Sequence, residues 1–218
     1  MSELLPGKVI HTRTYDIQAV VVDDAHFRLM GRIHDVKPDG LWGIDDCEPM
    51  SIHEMTLEMV VRVADLSIVD ALAKMHTHPH EHCRSIVPAY EQLVGLTIAR
   101  GFTTKVKELF GGPRACTHIG ALINAMAPVA MQCVWAFIEA QQAGPMSDDG
   151  QLREESRREH MAMTGERNRN TCHVWADGGP MLTLLADGGE VPPPLWAIER
   201  LSELGLDVEA WRSNQRSG

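Results

Sequence analysis

Between Phe110 and Gln142 the chain carries one long run of helical periodicity that any fold must bury. Ile119, Leu122, Ile123, Met126, Ala130, Cys133, Val134 and Phe137 recur at three- and four-residue spacing, which lines one face of a helix and marks it as the central core helix. Gly111-Gly112-Pro113 precedes it, Thr117 suits an N-cap, and Gly144-Pro145 suits an exit. Pro128 lacks an amide hydrogen and is expected to kink the helix near Asn124. With Thr117 as the cap, His118 falls in the first turn, one turn before Leu122 and at the margin of the apolar stripe. An imidazole there, with the Cys116 thiol two residues earlier, marks the entrance of the core helix as a place for chemistry.

Upstream, Thr14–Val22 and His26–Val36 have strand character and are broken by Asp23-Asp24-Ala25, which reads as a β-hairpin. In the second run Phe27, Leu29, Gly31 and Ile33 alternate with Arg28, Met30, Arg32 and His34, the period of a half-buried strand. Asp35 and Lys37 fall at or just past its end. Pro38 to Ser51 is a loop rich in glycine, proline and acids. A third strand is expected over Thr56–Ala64, introduced by His53-Glu54-Met55, and Ile68–Met75 follows as a strand running into a short helix. Helices are expected over Val87–Arg100 and Thr103–Phe110.

After Gly144 the composition changes. Residues 148–169 are dense in charge and poor in large aliphatics, and read as a solvated insertion. Thr171–Trp175 and Met181–Leu185 resume β character around Asp177-Gly178-Gly179-Pro180 and are expected to form a terminal hairpin, followed by a helical extension over 190–218. The expected fold is therefore α+β: one domain spanning 1–218, with an antiparallel sheet packed against a small bundle of helices.

Composition excludes several classes of function. A formal net charge of −10 argues against a nucleic-acid or anionic-membrane surface. No apolar run approaches the ~20 residues of a membrane span, and the N-terminal stretch lacks a signal-peptide core, so the expected compartment is the cytoplasm. Five cysteines, an odd number without scaffold spacing, point to reduced thiols or metal ligands rather than bridges. No phosphate-binding glycine loop, nucleophile elbow or HExxH occurs, which leaves no case for a nucleotide cofactor or a serine hydrolase.

Eleven histidines are an excess, and they supply the candidates. His76, His78, His80 and His82 alternate just before Cys83, in a tract that fits either a strand-borne ligand set or a solvent-facing loop. Cys116 with His118 and Cys172 with His173 form two further pairs. Adjacent strand residues point to opposite faces, so only one of Cys172 and His173 should enter any single site. Cys133 belongs to the core stripe and Cys47 to the acidic loop. His53 and Asp35 lie at strand ends, with Tyr90 and Arg13 as hydrogen-bonding additions.

These residues carry a resemblance. His11-Thr12-Arg13, Asp35-Val36-Lys37, Ser51-Ile52-His53-Glu54-Met55, Cys83, Leu93-Val94-Gly95-Leu96, Gly101-Phe102, Cys116-Thr117-His118, Gln132 and Thr171-Cys172-His173 stand in an order that resembles the bacterial domain-of-unknown-function family 2889. The similarity covers about residues 8 to 187. Glu54 stands where the family pattern has Asp, Ala115 where it has Gly, and the histidine tract is richer than usual. The resemblance implies functional positions at Asp35, His53, Cys83, Cys116, His118, Cys172 and His173, and a loose link to catabolism of aromatic, lignin-derived compounds.

Three functions follow as expectations. The first is an enzyme acting on a small molecule by proton abstraction with elimination, as a lyase, or by hydrolysis. In it Asp35 or Glu54 is the general base, Tyr90 assists, and His53, Cys83, Cys116, His118 and His173 are the candidate ligands of a divalent zinc or iron ion. The second is a metal or cluster carrier using the same ligands, and the third a noncatalytic dimeric binding module. A homo-oligomer is compatible with each.

Overall fold

The structure is a computed structural model that describes residues 8–41, 46–142, 164–166 and 168–215, so most of the charged segment 148–169 lies outside the described residues. The chain divides into two compact units, Met1–Gln141 and Gln142–Gly218.

The first unit is α+β. Four strands, β1 (Thr12–Asp23), β2 (His26–Lys37), β3 (Met50–Arg62) and β4 (Ile68–Thr77), form an open antiparallel sheet in the order β1-β2-β3-β4. The expected alternation in β2 holds: Phe27, Leu29 and Ile33 are buried while Arg28 is exposed. Met55, Leu57, Met59 and Val61 from β3, with Ala73 and Met75 from β4, continue the same buried face. Two helices follow, α1 (Phe102–Phe110) and α2 (Thr117–Gln142). From α2, Ile119, Leu122, Ile123, Met126 and Ala130 join this core, and each large side chain so buried contributes about 1.5–3 kcal/mol. α2 crosses β2 at Gly31, where an added Cβ would come within 2.5 Å of Met126 Sδ and 3.0 Å of a Leu122 methyl. That close approach explains a glycine in the middle of a strand.

Several expectations change. β4 remains extended to Thr77 rather than turning helical. Residues Glu81–Leu93 form 3-10 turns in place of an α-helix over 87–100. Pro88 inside this run supplies no amide hydrogen, and Gly95 adopts φ 87°, which ends it. The chain then pairs with β4 instead: Ile68 N–H donates to Leu96 O and Gly95 N–H to Ile68 O, both at 2.8 Å. α2 runs on through Pro128, and Thr117 is not its cap. Gly120 N–H donates to Cys116 O at 3.0 Å, which places Cys116 at the N-cap. The window Thr117–Val134 is long and apolar enough by length and composition to cross a membrane, contrary to the sequence reading. Its apolar stripe is the one buried against the sheet.

The second unit holds no terminal hairpin among its described residues. His173–Trp175 is a 3-10 turn, and Met181–Leu185 lies inside α3 (Pro180–Ala186). Pro180 sits at the first helical position, where its fixed φ favours a helix, and leucine and methionine are good helix formers. α4 (Leu195–Glu203) and α5 (Val208–Gln215) follow.

Candidate functional site

Asp35 continues the apolar stripe of β2 rather than ending it, and at 1% exposure it is the buried charged residue among those described. Strand register decides its neighbours. Arg13 of β1 and His53 of β3 are its partners on either side, so three adjacent strands present Arg13, Asp35 and His53 on one face of the sheet. Immediately beyond, Val36 pairs with Ser51, leaving Ile52 as the extra residue of a bulge, a device that re-aims side chains at the end of a ladder. The first turn of α2 adds His118.

The carboxylate is held from several directions. Arg13 Nε donates to Oδ1 at 2.6 Å and Nη2 to Oδ2 at 2.7 Å, a two-bond fork that matches the planes of both groups. His53 Nδ1 lies 3.2 Å and His118 Nε2 3.4 Å from Oδ2, and His11 Nε2 lies 3.5 Å from Oδ1. The rings of His53 and His118 stack with centroids 3.9 Å apart and planes 28° from parallel. The Arg13 guanidinium holds the Asp35 carboxyl down to about 2, against the opposing effect of burial. Burial pushes the His118 imidazole below its ordinary value, and His53 and Arg13 add to that, while Asp35 opposes it. At neutral pH the site therefore holds an ionised carboxylate and a neutral His118.

With Nε2–H of His118 directed at Asp35, its Nδ1 carries the lone pair, and Cys116 Sγ lies 3.7 Å from that nitrogen. Cys116 is itself clamped. The Tyr90 hydroxyl accepts from Cys116 N–H at 2.9 Å and donates to Cys116 O at 3.3 Å. Tyr90 is buried against Phe110, ring centroids 5.1 Å apart, and burial raises its phenol well above the ordinary value. Its hydroxyl thus holds the Cys116 backbone, where the sequence suggests a hydrogen-bonding group that assists the reaction.

Of the expected residues the fold thus assembles Asp35, His53, His118 and Cys116. Glu54 is turned away, since it neighbours His53 along a strand and so faces the other side of the sheet. There it accepts from Arg32 Nε at 2.8 Å, and that guanidinium lowers its pKa, so it is a surface ion pair and not a base in this site. Cys83 is half-buried against the core and is not among the clustered ligand atoms. His173 belongs to the second unit. The histidine tract does not converge: His76 is bonded to Thr56 on the exposed face, His78 Nδ1 to the His80 carbonyl, and His80 and His82 are exposed. His11 is the neighbour that sequence reasoning did not weigh for chemistry. Its spacing of two from Arg13 was the signal, because it follows the alternation that sends Arg13 to Asp35.

Asp35, His53 and His118 offer ligand atoms that all lie within 4.8 Å of one another. The donor set of one carboxylate and two imidazoles suits zinc or iron. Arg13 weighs against it, because a fixed positive charge already engages both carboxylate oxygens.

A family model described as protein of unknown function (DUF2889) matches residues 11–132, a span that includes every one of the assembled residues. No curated protein and no solved structure matches the chain.

Proposed function

The chain belongs to the DUF2889 family of proteins of unknown function, and from that premise we propose that it is an enzyme that moves a proton on a small molecule, by proton abstraction with elimination or by hydrolysis. The observation carrying this reading is the convergence of two stacked imidazoles on one buried carboxylate oxygen, His53 at 3.2 Å and His118 at 3.4 Å. A carboxylate so placed fixes the tautomer and ring orientation of both histidines and stabilises whichever takes up a proton. Their other nitrogens, His53 Nε2 and His118 Nδ1, are then left to accept. Side-chain exposures of 19% and 18% leave these rings partly open to solvent. Asp35 serves as the anchor of the pair rather than as its base, because its proton affinity is too low for that task near neutral pH. Aromatic, lignin-derived compounds are the substrate class to assay first, on the strength of the resemblance alone. The compartment in this reading is the cytoplasm, where the free thiols stay reduced.

A metal-dependent reading keeps one specific observation in its favour, the clustering of three ligand atoms. Elemental analysis of protein purified without a histidine tag separates the two: the acid–base reading expects no stoichiometric metal, and one ion per chain sustains the other. The direct test of the function is His118→Ala assayed on small aromatic esters and β-substituted carbonyl compounds. Turnover lost with the melting temperature largely retained supports the acid–base role. A variant that melts much lower yet turns over normally makes His118 structural.

A further inference from the structure

The surroundings of the Cys116 thiol resemble those of a nucleophile with its base and orienting acid. Cys116 Sγ lies 3.7 Å from His118 Nδ1, and His118 Nε2 lies 3.4 Å from Asp35 Oδ2, so the imidazole stands between thiol and carboxylate with one ring nitrogen toward each. That arrangement is recognised by geometry and roles rather than by sequence order. A second observation is independent of the first. Tyr90, 1% exposed, spends its buried hydroxyl on both the N–H and the carbonyl of Cys116, which fixes the backbone that carries the thiol. Third, Cys116 is the N-cap of α2. The amides of the first turn of a helix have no intrahelical acceptor and are suited to an oxyanion forming beside the thiol.

We propose that Cys116 is a covalent nucleophile that attacks the carbonyl carbon of a small ester or thioester, with His118 as its base and Asp35 holding His118. This deepens the hydrolytic branch of the acid–base reading and rests on it. In the first step the Sγ–H proton passes to His118 Nδ1 as the S–C bond forms. Collapse of the tetrahedral adduct breaks the bond to the leaving alcohol or thiol, which takes that proton. A thioester to Cys116 remains. Water then attacks it, giving its proton to His118; the S–C bond breaks, the thiol recovers the proton, and the carboxylic acid departs. The sum is ester plus water to acid plus alcohol, with no oxidant or reductant required.

The test uses the full chain and two probes. Under limiting iodoacetamide with peptide mass mapping, exposure alone favours Cys47 and Cys172, which are exposed, over the half-buried Cys116. The proposal expects Cys116 to react at least about tenfold faster than either, and to fall to their rate in His118→Gln. With para-nitrophenyl acetate it expects a burst of about one equivalent of nitrophenol per chain and an acetyl group on Cys116. Equal labelling rates in the unaltered protein, or acetylation elsewhere, overturn it without need of any variant. Cys116→Ala that still turns over para-nitrophenyl acetate, where His118→Gln does not, overturns the nucleophile and leaves the acid–base reading standing. Retention of turnover in both variants overturns both.

Discussion

The imidazole rings of His53 and His118 lie face to face, 3.9 Å between centroids, over a carboxylate that is itself forked by Arg13. Two imidazolium ions at that separation repel, and Arg13 adds a third positive charge, so a proton on His53 opposes a proton on His118. Asp35 limits the repulsion.

Replacing Asp35 should be the most damaging change in the site. Asp35→Asn leaves Arg13 without its charged partner and the histidines with only a neutral carbonyl oxygen in place of the carboxylate, at an expected cost of about 2–3 kcal/mol. Denaturant unfolding measures it. Adding Arg13→Met should recover part of the loss, so that the double variant costs less than the sum of the singles.

Stability should depend on pH in two windows. His118 has a folded-state proton affinity below the ordinary imidazole value, so its contribution is complete above about pH 6.5 and is lost as the pH falls from there toward the lower folded value. Asp35 is held down to about 2, so its contribution is present above about pH 4 and lost as the pH falls from there through 2, roughly 2 kcal/mol in all. Urea midpoints measured from pH 8 to 2 should fall in both windows. The step below about pH 6.5 should vanish in His118→Gln.

Much of the fold was legible because period-two and helical patterns are strong where one face is buried. Phe27, Leu29 and Ile33 in β2 and the Ile119-to-Ala130 stripe in α2 announce themselves. The second unit did not, because Thr171-Cys172-His173-Val174-Trp175 looks β-like locally while Pro180 and the following leucines decide for a helix. In the site, Asp35, His53, Cys116 and His118 were visible as polar residues at the ends of apolar elements. Their arrangement was not. The pairing of Arg13, Asp35 and His53 depends on the register of three strands, and that register also decides between Asp35 and Glu54, since it sets Glu54 opposite His34 on the outer face.

Tyr90→Phe should separate positioning from packing. The ring stays in its buried place against Phe110, while the Cys116 N–H loses its acceptor, for an expected cost of about 1–3 kcal/mol. If Tyr90 only packs, Cys116 alkylation will be unchanged. If it positions the thiol, the rate constant for Cys116 should drop while those for Cys47 and Cys172 hold.

Gly31→Ala tests how closely α2 lies on β2. The new methyl meets Met126 Sδ at 2.5 Å and Leu122 at 3.0 Å, both side-chain atoms that can shift only within a packed core. Overpacking of this kind costs about 1–3 kcal/mol. Thermal melts should show the loss, and Met126→Ala in the same chain should relieve part of it.

The most direct measurement is the titration of His118 followed by NMR of its ring nitrogens, with the assignment made by His118→Gln. The account predicts a neutral imidazole at pH 7 with the proton on Nε2, titrating below the ordinary value of about 6.5. Its midpoint should rise in His53→Gln, where an opposing positive charge is removed, and fall further in Asp35→Asn, where the attracting carboxylate is gone. A His118 that titrates at the ordinary value, and whose midpoint ignores both substitutions, would contradict the coupled carboxylate–imidazole centre on which the proposed function stands.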